Sequence, residues 1–318
     1  MKEFFRRLKL GYAIYNIFHK KKLVHNQLIY KKLGLNKRYF SPISSKDFKS
    51  LPNNSSTNEI VNNQQLTSTS LFQTLSEENK NSLLQFNENG FSVIQNYLSV
   101  EKVDKINNEI EMLLKQGTIH LTKHNRIMFA IHSSPLLKNI GDDEKLKKLL
   151  STLLNGNAVL FQSINFLMGS EQATHSDSIH MTTYPLGGLL GVWIALEDIT
   201  EENGPLHYYP GSHKLPYYLN SDYNNEGNFF CIGNKSYSKY EKMMQQKISE
   251  LNLSKKKFLA QKGDLLIWHA NLFHGGEKHI DKTKTRKSMV FHYFKEDAIC
   301  YHEITQRPAL IKHSTSKQ

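Results

Sequence analysis

Residues 191–214 read GVWIALEDITEENGPLHYYPGSHK. The run from Gly191 to Ala195 is β-branched and aromatic, which suits a pleated strand. Asn203-Gly204 is turn chemistry, Leu206–Tyr209 is a second short strand, and Pro210-Gly211-Ser212 shapes another turn for His213 to pin. Runs of the same texture lie on both sides: AVLFQSINFLM at 158–168, DLLIWHANLFHGG at 264–276 and KSMVFHYF at 287–294.

Upstream the texture is helical. Ser99 caps a helix whose apolar face is Val103, Ile106, Ile110 and Leu113, and Gly117 stops it. DDEKLKKLLSTLLNG at 142–156 is a second helix, and SEENKNSLLQFNENG at 76–90 a third. FSVIQNYL (91–98) and RIMFAIH (126–132) are expected strands between them. Helices first and short strands afterwards, without βαβ alternation, predict a mainly β fold with a helical cover (α+β), built as a β-sandwich or small barrel.

Bulk properties narrow the class. Two cysteines, Cys231 and Cys300, exclude a disulfide framework and a four-cysteine zinc site. No run of about 18 apolar residues occurs, so no spanning helix is expected. The N-terminus lacks an apolar core followed by a small-residue cleavage site, so a cytoplasmic location is expected. Of the +12 formal charge, residues 1–40 hold +10: eleven Lys and Arg against Glu3 alone, leaving +2 for the rest. A nearly neutral body argues against a nucleic-acid partner.

The basic end has its own pattern. Phe4, Phe5, Leu8, Tyr12, Tyr15 and Phe18 fall at helical spacing. Such a basic amphipathic helix either packs its apolar face on the body or makes a peripheral contact with an anionic membrane. The expected organisation is a basic segment over 1–51, a polar linker or loop over 52–75, and a domain over 76–318 whose β core spans about 157–298.

The chemistry gathers on a few residues. ATHSDSIHM (173–181) places His175 two before Asp177, with His180 close behind. His269 and His274 follow in the 264–276 run, and Arg286 and Ser288 stand two apart, on one face of a strand. Two histidines and one carboxylate on one face of a metal leave positions open for other ligands, the facial arrangement of non-haem iron(II) oxygenases. An arginine beside such a site can grip a carboxylate with paired hydrogen bonds.

Together THSD, GVWIALEDITEENGPLHYYPGSHK, KGDLLIWHANLFHGG and RKSMVFHYF resemble the phytanoyl-CoA dioxygenase family of iron(II)- and 2-oxoglutarate-dependent oxygenases, which includes ectoine hydroxylase. The resemblance covers about residues 76–298. It implies a double-stranded β-helix, a jelly-roll or cupin-like barrel, using Fe(II), 2-oxoglutarate and O2. It implies His175, Asp177 and His274 as the iron ligands. It implies Arg286, with Ser288, for the far carboxylate of 2-oxoglutarate, Trp193 lining that pocket, and Asn165 as a further polar contact. Relatives that halogenate carry Gly or Ala where this chain has Asp177, so hydroxylation is the implied reaction. His180, and Arg126 in the 120–134 segment, are candidate contacts for a small, polar substrate. The insertion at 220–246 is expected to cover the site. Two other functions use the same residues: a cupin-type isomerase or hydrolase on another metal, and a non-catalytic β-sandwich binding module.

Overall fold

A computed structural model describes residues 2–51, 61–122 and 124–310. Twelve strands follow one another along the chain: β1 (Phe91–Ile94), β2 (Arg126–Met128), β3 (Ala158–Phe166), β4 (Thr182–Tyr184), β5 (Leu189–Ala195), β6 (Leu206–Tyr208), β7 (Lys256–Phe258), β8 (Leu265–His269), β9 (His274–Gly276), β10 (Ser288–Lys295), β11 (Ile299–His302) and β12 (Arg307–Pro308). The main sheet has the order β1-β8-β5-β10-β3-β2, and two three-stranded sheets run β7-β6-β9 and β12-β11-β4. Every named pairing is antiparallel.

The main sheet is buried on both faces, and its period-2 alternation sorts the side chains. Leu190, Val192 and Ile194 of β5 join Leu265, Ile267, Phe291 and Tyr293 in a core shared with the helices. Trp193 and Ala195 point the other way, joining Ile164, Phe166, Trp268 and Val290 against Leu206, Tyr208 and Phe258 of the β7-β6-β9 sheet. Two sheets facing across an apolar interior make the expected double-stranded β-helix with helical cover.

The cover forms as its sequence predicts. α8 (Val100–Lys115) is capped by the Ser99 side chain and buries Val103, Ile106, Ile110 and Leu113. α9 (Pro135–Gly141) and α10 (Glu144–Leu153) add Leu137, Ile140, Leu146, Leu149, Leu150 and Leu153 to the same core. α11 (Tyr237–Glu250) lies within the 220–246 insertion and just beyond it.

Three expectations change. Residues 52–60 lie outside the described residues, but 61–75 is no linker: α4 (Asn63–Thr67) and α5 (Ser70–Gln73) bury Val61, Leu66, Leu71 and Phe72 in the helical core. Few apolar residues suffice there because four of the five are buried. The β core also exceeds 157–298, since β1 and β2 close the two edges of the main sheet and β11–β12 carry a smaller sheet to Pro308. Finally, the N-terminus is not one helix with one apolar face. α1 (Lys2–Arg7) and α2 (Lys9–Phe18) break at Leu8, where the chain bridges to Cys231, and α3 (His25–Lys32) follows. The remainder of 1–51 packs onto the barrel through Tyr30, Ile43 and Phe48 against Ile299 and Tyr301.

Candidate active site

His175 and His274 are 99 residues apart in sequence and face each other directly. Each donates its backbone N–H to the other's carbonyl, both at 2.9 Å. Residues exchanging both bonds across an antiparallel pair project side chains to the same side, and these two rings lie 4.5 Å apart between centroids. Asp177, two residues on, shares that side and starts a one-turn 3-10 helix, Asp177–Ile179. One ligand atom from each of the three lies within 4.8 Å of the others. Asp177 Oδ1 is 3.8 Å from His175 Nε2 and 3.7 Å from His274 Nε2.

The tautomers are set by the backbone. His175 Nδ1 is 2.9 Å from the Ala173 carbonyl and His274 Nδ1 is 2.9 Å from the Leu272 carbonyl. A carbonyl only accepts, so Nδ1 carries the proton in both rings and Nε2 presents its lone pair to the shared space. Burial pushes the His175 imidazolium far below its ordinary pKa, with His274 adding to the shift, so the ring is neutral. Burial opposes ionisation of Asp177, but the surrounding imidazoles and one indole N–H hold its carboxyl below the usual value. Two imidazoles and a carboxylate are a donor set suited to Fe(II).

The indole belongs to Trp268, whose Nε1 donates to Asp177 Oδ2 at 2.7 Å, fixing the carboxylate so that Oδ1 faces the histidines. Trp268→Phe keeps the ring and deletes this donor, and metal affinity is expected to fall about 10–100-fold, as for other outer partners of metal ligands. A metal titration of the folded variant checks this. Gly191 lies opposite Trp268 on the neighbouring strand, and a Cβ there would sit 2.2 Å from Trp268 Cε2. Gly191→Ala is therefore expected to displace the indole, lowering metal affinity at least as much as Trp268→Phe and costing about 1–3 kcal/mol of stability from overpacking. Thermal denaturation beside the same titration separates the two effects.

Arg286 is fully buried. Its Nη1 donates to Ser288 Oγ at 3.0 Å, its Nε has no partner, and no carboxylate pairs with it among the described residues. The guanidinium lies 5.6 Å from the Phe166 ring and 5.8 Å from the Trp193 ring. Burial lowers its pKa to about 10, opposed by Glu197, so it remains a cation at neutral pH. A buried cation with so few partners is costly unless an anion joins it.

The triad, Arg286 and Trp193 line one cavity of about 540 Å³. Its lining also includes Arg126, Gln172, His180, Tyr237, Glu241 and His302. Arg126 Nη2 donates to Gln172 Oε1 at 2.7 Å, and the Gln172 amide stands 3.3 Å from His175 Nε2. His180 Nε2 pairs with the Tyr237 hydroxyl at 3.0 Å, and the ring stays outside the triad. Tyr237 and Glu241 come from α11, so the 220–246 insertion does wall the cavity.

Two expected contacts move. Asn165 does not line the cavity. Gln162, Ile164 and Phe166 of β3 face the barrel interior, so Asn165, one step out of phase, faces the helices with its amide unpartnered. Ser288 faces inward but touches Arg286 itself, as a brace for the guanidinium. His269 is no ligand: its Nδ1 accepts from the Asn271 N–H and its ring packs on His213. His292 and Trp268 were missed. His292 Nε2 is 3.8 Å from Asp177 Oδ2, and burial pushes its pKa down to about 4. The strand period carried the signal, because His292 shares the parity of Ser288 and Val290 on β10.

The 191–214 segment explains itself here. Asn203 Nδ2 donates to the Thr285 carbonyl at 3.1 Å, anchoring the residue before Arg286. The Ser212 hydroxyl accepts from the Phe273 N–H at 2.8 Å, and Asn271 Nδ2 donates to the His213 carbonyl at 3.2 Å, anchoring the approach to His274. Its turns hold His274 and Arg286 in place.

A sequence model described as phytanoyl-CoA dioxygenase matches residues 86–287. Phytanoyl-CoA dioxygenase domain-containing protein 1 of Danio rerio is 38% identical over 94 residues, 28% of this chain and 32% of that protein, so the alignment spans about a third of that relative's length. Ectoine dioxygenase of Stutzerimonas stutzeri (strain A1501) is 25% identical over 240 residues, 66% of this chain and 74% of that protein. The crystal structure of the non-heme alpha ketoglutarate dependent carbocyclase SnoK from nogalamycin biosynthesis superposes with a TM-score of 0.60 at 16% identity, covering 76% of this chain and 95% of that one, a likeness of fold. With more than half of its length matched, including His175, Asp177 and His274, the chain belongs to the phytanoyl-CoA dioxygenase family.

Proposed function

We propose that this protein is an Fe(II)- and 2-oxoglutarate-dependent dioxygenase that hydroxylates a small, polar molecule and releases succinate and carbon dioxide. The observation that carries this reading is the buried Arg286, which has no carboxylate partner among the described residues and opens on the same cavity as His175, Asp177 and His274. One carboxylate and one guanidinium from the protein balance a divalent metal and a dianionic cosubstrate, so the loaded site is neutral. A binding module has no use for such a cation, and an isomerase or hydrolase on another metal has none for a carboxylate clamp.

In this reading His175 Nε2, His274 Nε2 and Asp177 Oδ1 hold iron, which with dioxygen supplies the oxidising power. Arg286 binds the distal carboxylate of 2-oxoglutarate, and Trp193 and Phe166 keep water from that end. The substrate lies toward Arg126, His180, Tyr237, Glu241 and His302, a polar wall that suits a polar molecule. Adding 2-oxoglutarate to the Fe(II)-loaded protein without oxygen is expected to produce a visible charge-transfer band, and admitting air to produce succinate. Absence of both overturns the reading.

A further inference from the structure

The helix α2 is inside out. Its side toward the body carries Tyr12, which packs under the Arg307 guanidinium at 5.6 Å, and Asn16, which is 1% exposed. Its outer side carries Leu10, Ile14, Ile17 and Phe18, of which Leu10 is 68% and Phe18 82% exposed. At 100° per residue Leu10, Ile14 and Ile17 fall within one narrow stripe. A helix that only packed on its own domain would turn that stripe inward.

A second apolar element adjoins it. The Lys9 N–H donates to the Phe230 carbonyl and the Ile232 N–H to the Arg7 carbonyl, both at 2.9 Å. This pairing sets Phe229 and Phe230, 87% and 70% exposed, beside the start of α2. Cations flank α2 along the chain, with Arg6 and Arg7 before it. Lys20, Lys21 and Lys22 follow α2 directly, and Lys31 and Lys32 end α3, whose Leu28 is also exposed. Glu3 is the only acid in residues 1–40, against eleven Lys and Arg, while the rest of the chain nets +2. Among the described residues no helix is long and apolar enough to cross a membrane. An apolar stripe rimmed by excess positive charge, on an element too short to span, suits lying on a lipid surface.

We infer that α2, with the Phe229–Phe230 loop and the neighbouring lysines, docks the protein on a bilayer bearing anionic phospholipid headgroups. The apolar side chains enter the headgroup boundary and the lysines meet its negative potential. Tyr15 and Asn16 of the same helix line a 250 Å³ cavity that shares Gln162, His180, Met181 and His302 with the larger one. Docking sets that smaller cavity next to the lipid interface.

The test is sedimentation of the full chain with vesicles of phosphatidylcholine alone or mixed with phosphatidylserine. The expected result is co-sedimentation with the mixed vesicles only, reversed by about 0.5 M salt, where screening shortens to a few ångströms. Phe229→Ala/Phe230→Ala and Lys21→Glu/Lys22→Glu are each expected to lower the bound fraction on the order of tenfold, while 2-oxoglutarate binding in solution stays unchanged. Equal binding to both vesicle types, or none, overturns the inference. So does a chain that self-associates and becomes monomeric on Phe229→Ala/Phe230→Ala, which would make this face a contact between copies. Because 2-oxoglutarate binding is read separately, failure here is distinct from failure of the oxygenase reading.

Discussion

Asp177→Ala is expected to abolish succinate formation and to weaken Fe(II) or Co(II) binding by more than the roughly 10–100-fold typical of an outer partner. Asp177 is the only carboxylate in the ligand set, and its Oδ1 stands within 4 Å of both imidazole Nε2 atoms. Removing it leaves two imidazole rings and no carboxylate among the three to offset the cation. It also strands the Trp268 N–H, which is buried and donates to Asp177. Asp177→Asn separates charge from shape, because the amide oxygen can still accept from Trp268. Its metal affinity is expected to fall nearly as far as that of the alanine variant, with stability closer to the parent. Metal titration without oxygen, beside thermal denaturation, decides this. An alanine variant with parental metal affinity would remove Asp177 from the ligand set.

Arg286→Met is expected to weaken 2-oxoglutarate binding by about 2–5 kcal/mol, the cost of truncating one partner of a buried, hydrogen-bonded charge pair, or roughly 30- to 4,000-fold in Kd. The stability readout makes the test specific. Arg286 donates one hydrogen bond, to Ser288, and has no carboxylate partner among the described residues. An apolar side chain there removes a desolvated cation, so the melting temperature is expected to hold or rise. A purely structural arginine would show the reverse: lower stability and unchanged cosubstrate affinity. Arg286→Lys keeps a charge but loses the planar fork, and falls between parent and methionine variant. Calorimetric titration of the metal-loaded protein with 2-oxoglutarate under anaerobic conditions reads all three.

Much of the site was legible because its residues carry their chemistry in type and spacing. His175 and Asp177 are two apart, and so are Arg286 and Ser288, so short-range periodicity puts each pair on one face. The same rule, applied further, would have rejected Asn165 and found His292. Gln162, Ile164 and Phe166 on β3, and Ser288, Val290 and His292 on β10, share the interior face, while Asn165 is out of phase. Trp268 lay beyond that rule. Its partner is 91 residues away, and an indole in an apolar strand carries no sign of whether its N–H meets a carboxylate. The N-terminal segment failed differently. The expected face ran through Leu8 and Tyr12, but the helix breaks at Leu8, Tyr12 meets the body, and the outer apolar stripe is a different one, Leu10, Ile14 and Ile17.

Local chemistry, read with the family resemblance, therefore pointed to the class of fold and to His175, Asp177, His274 and Arg286 as candidates, since strand alternation, turn residues and ligand types act over a few residues. Tertiary structure alone decided three things: the pairing that sets His175 against His274, the indole that orients Asp177, and the outward turn of α2. Each depends on contacts between segments distant in sequence, whose register is fixed only when the sheets close and bury their inner faces.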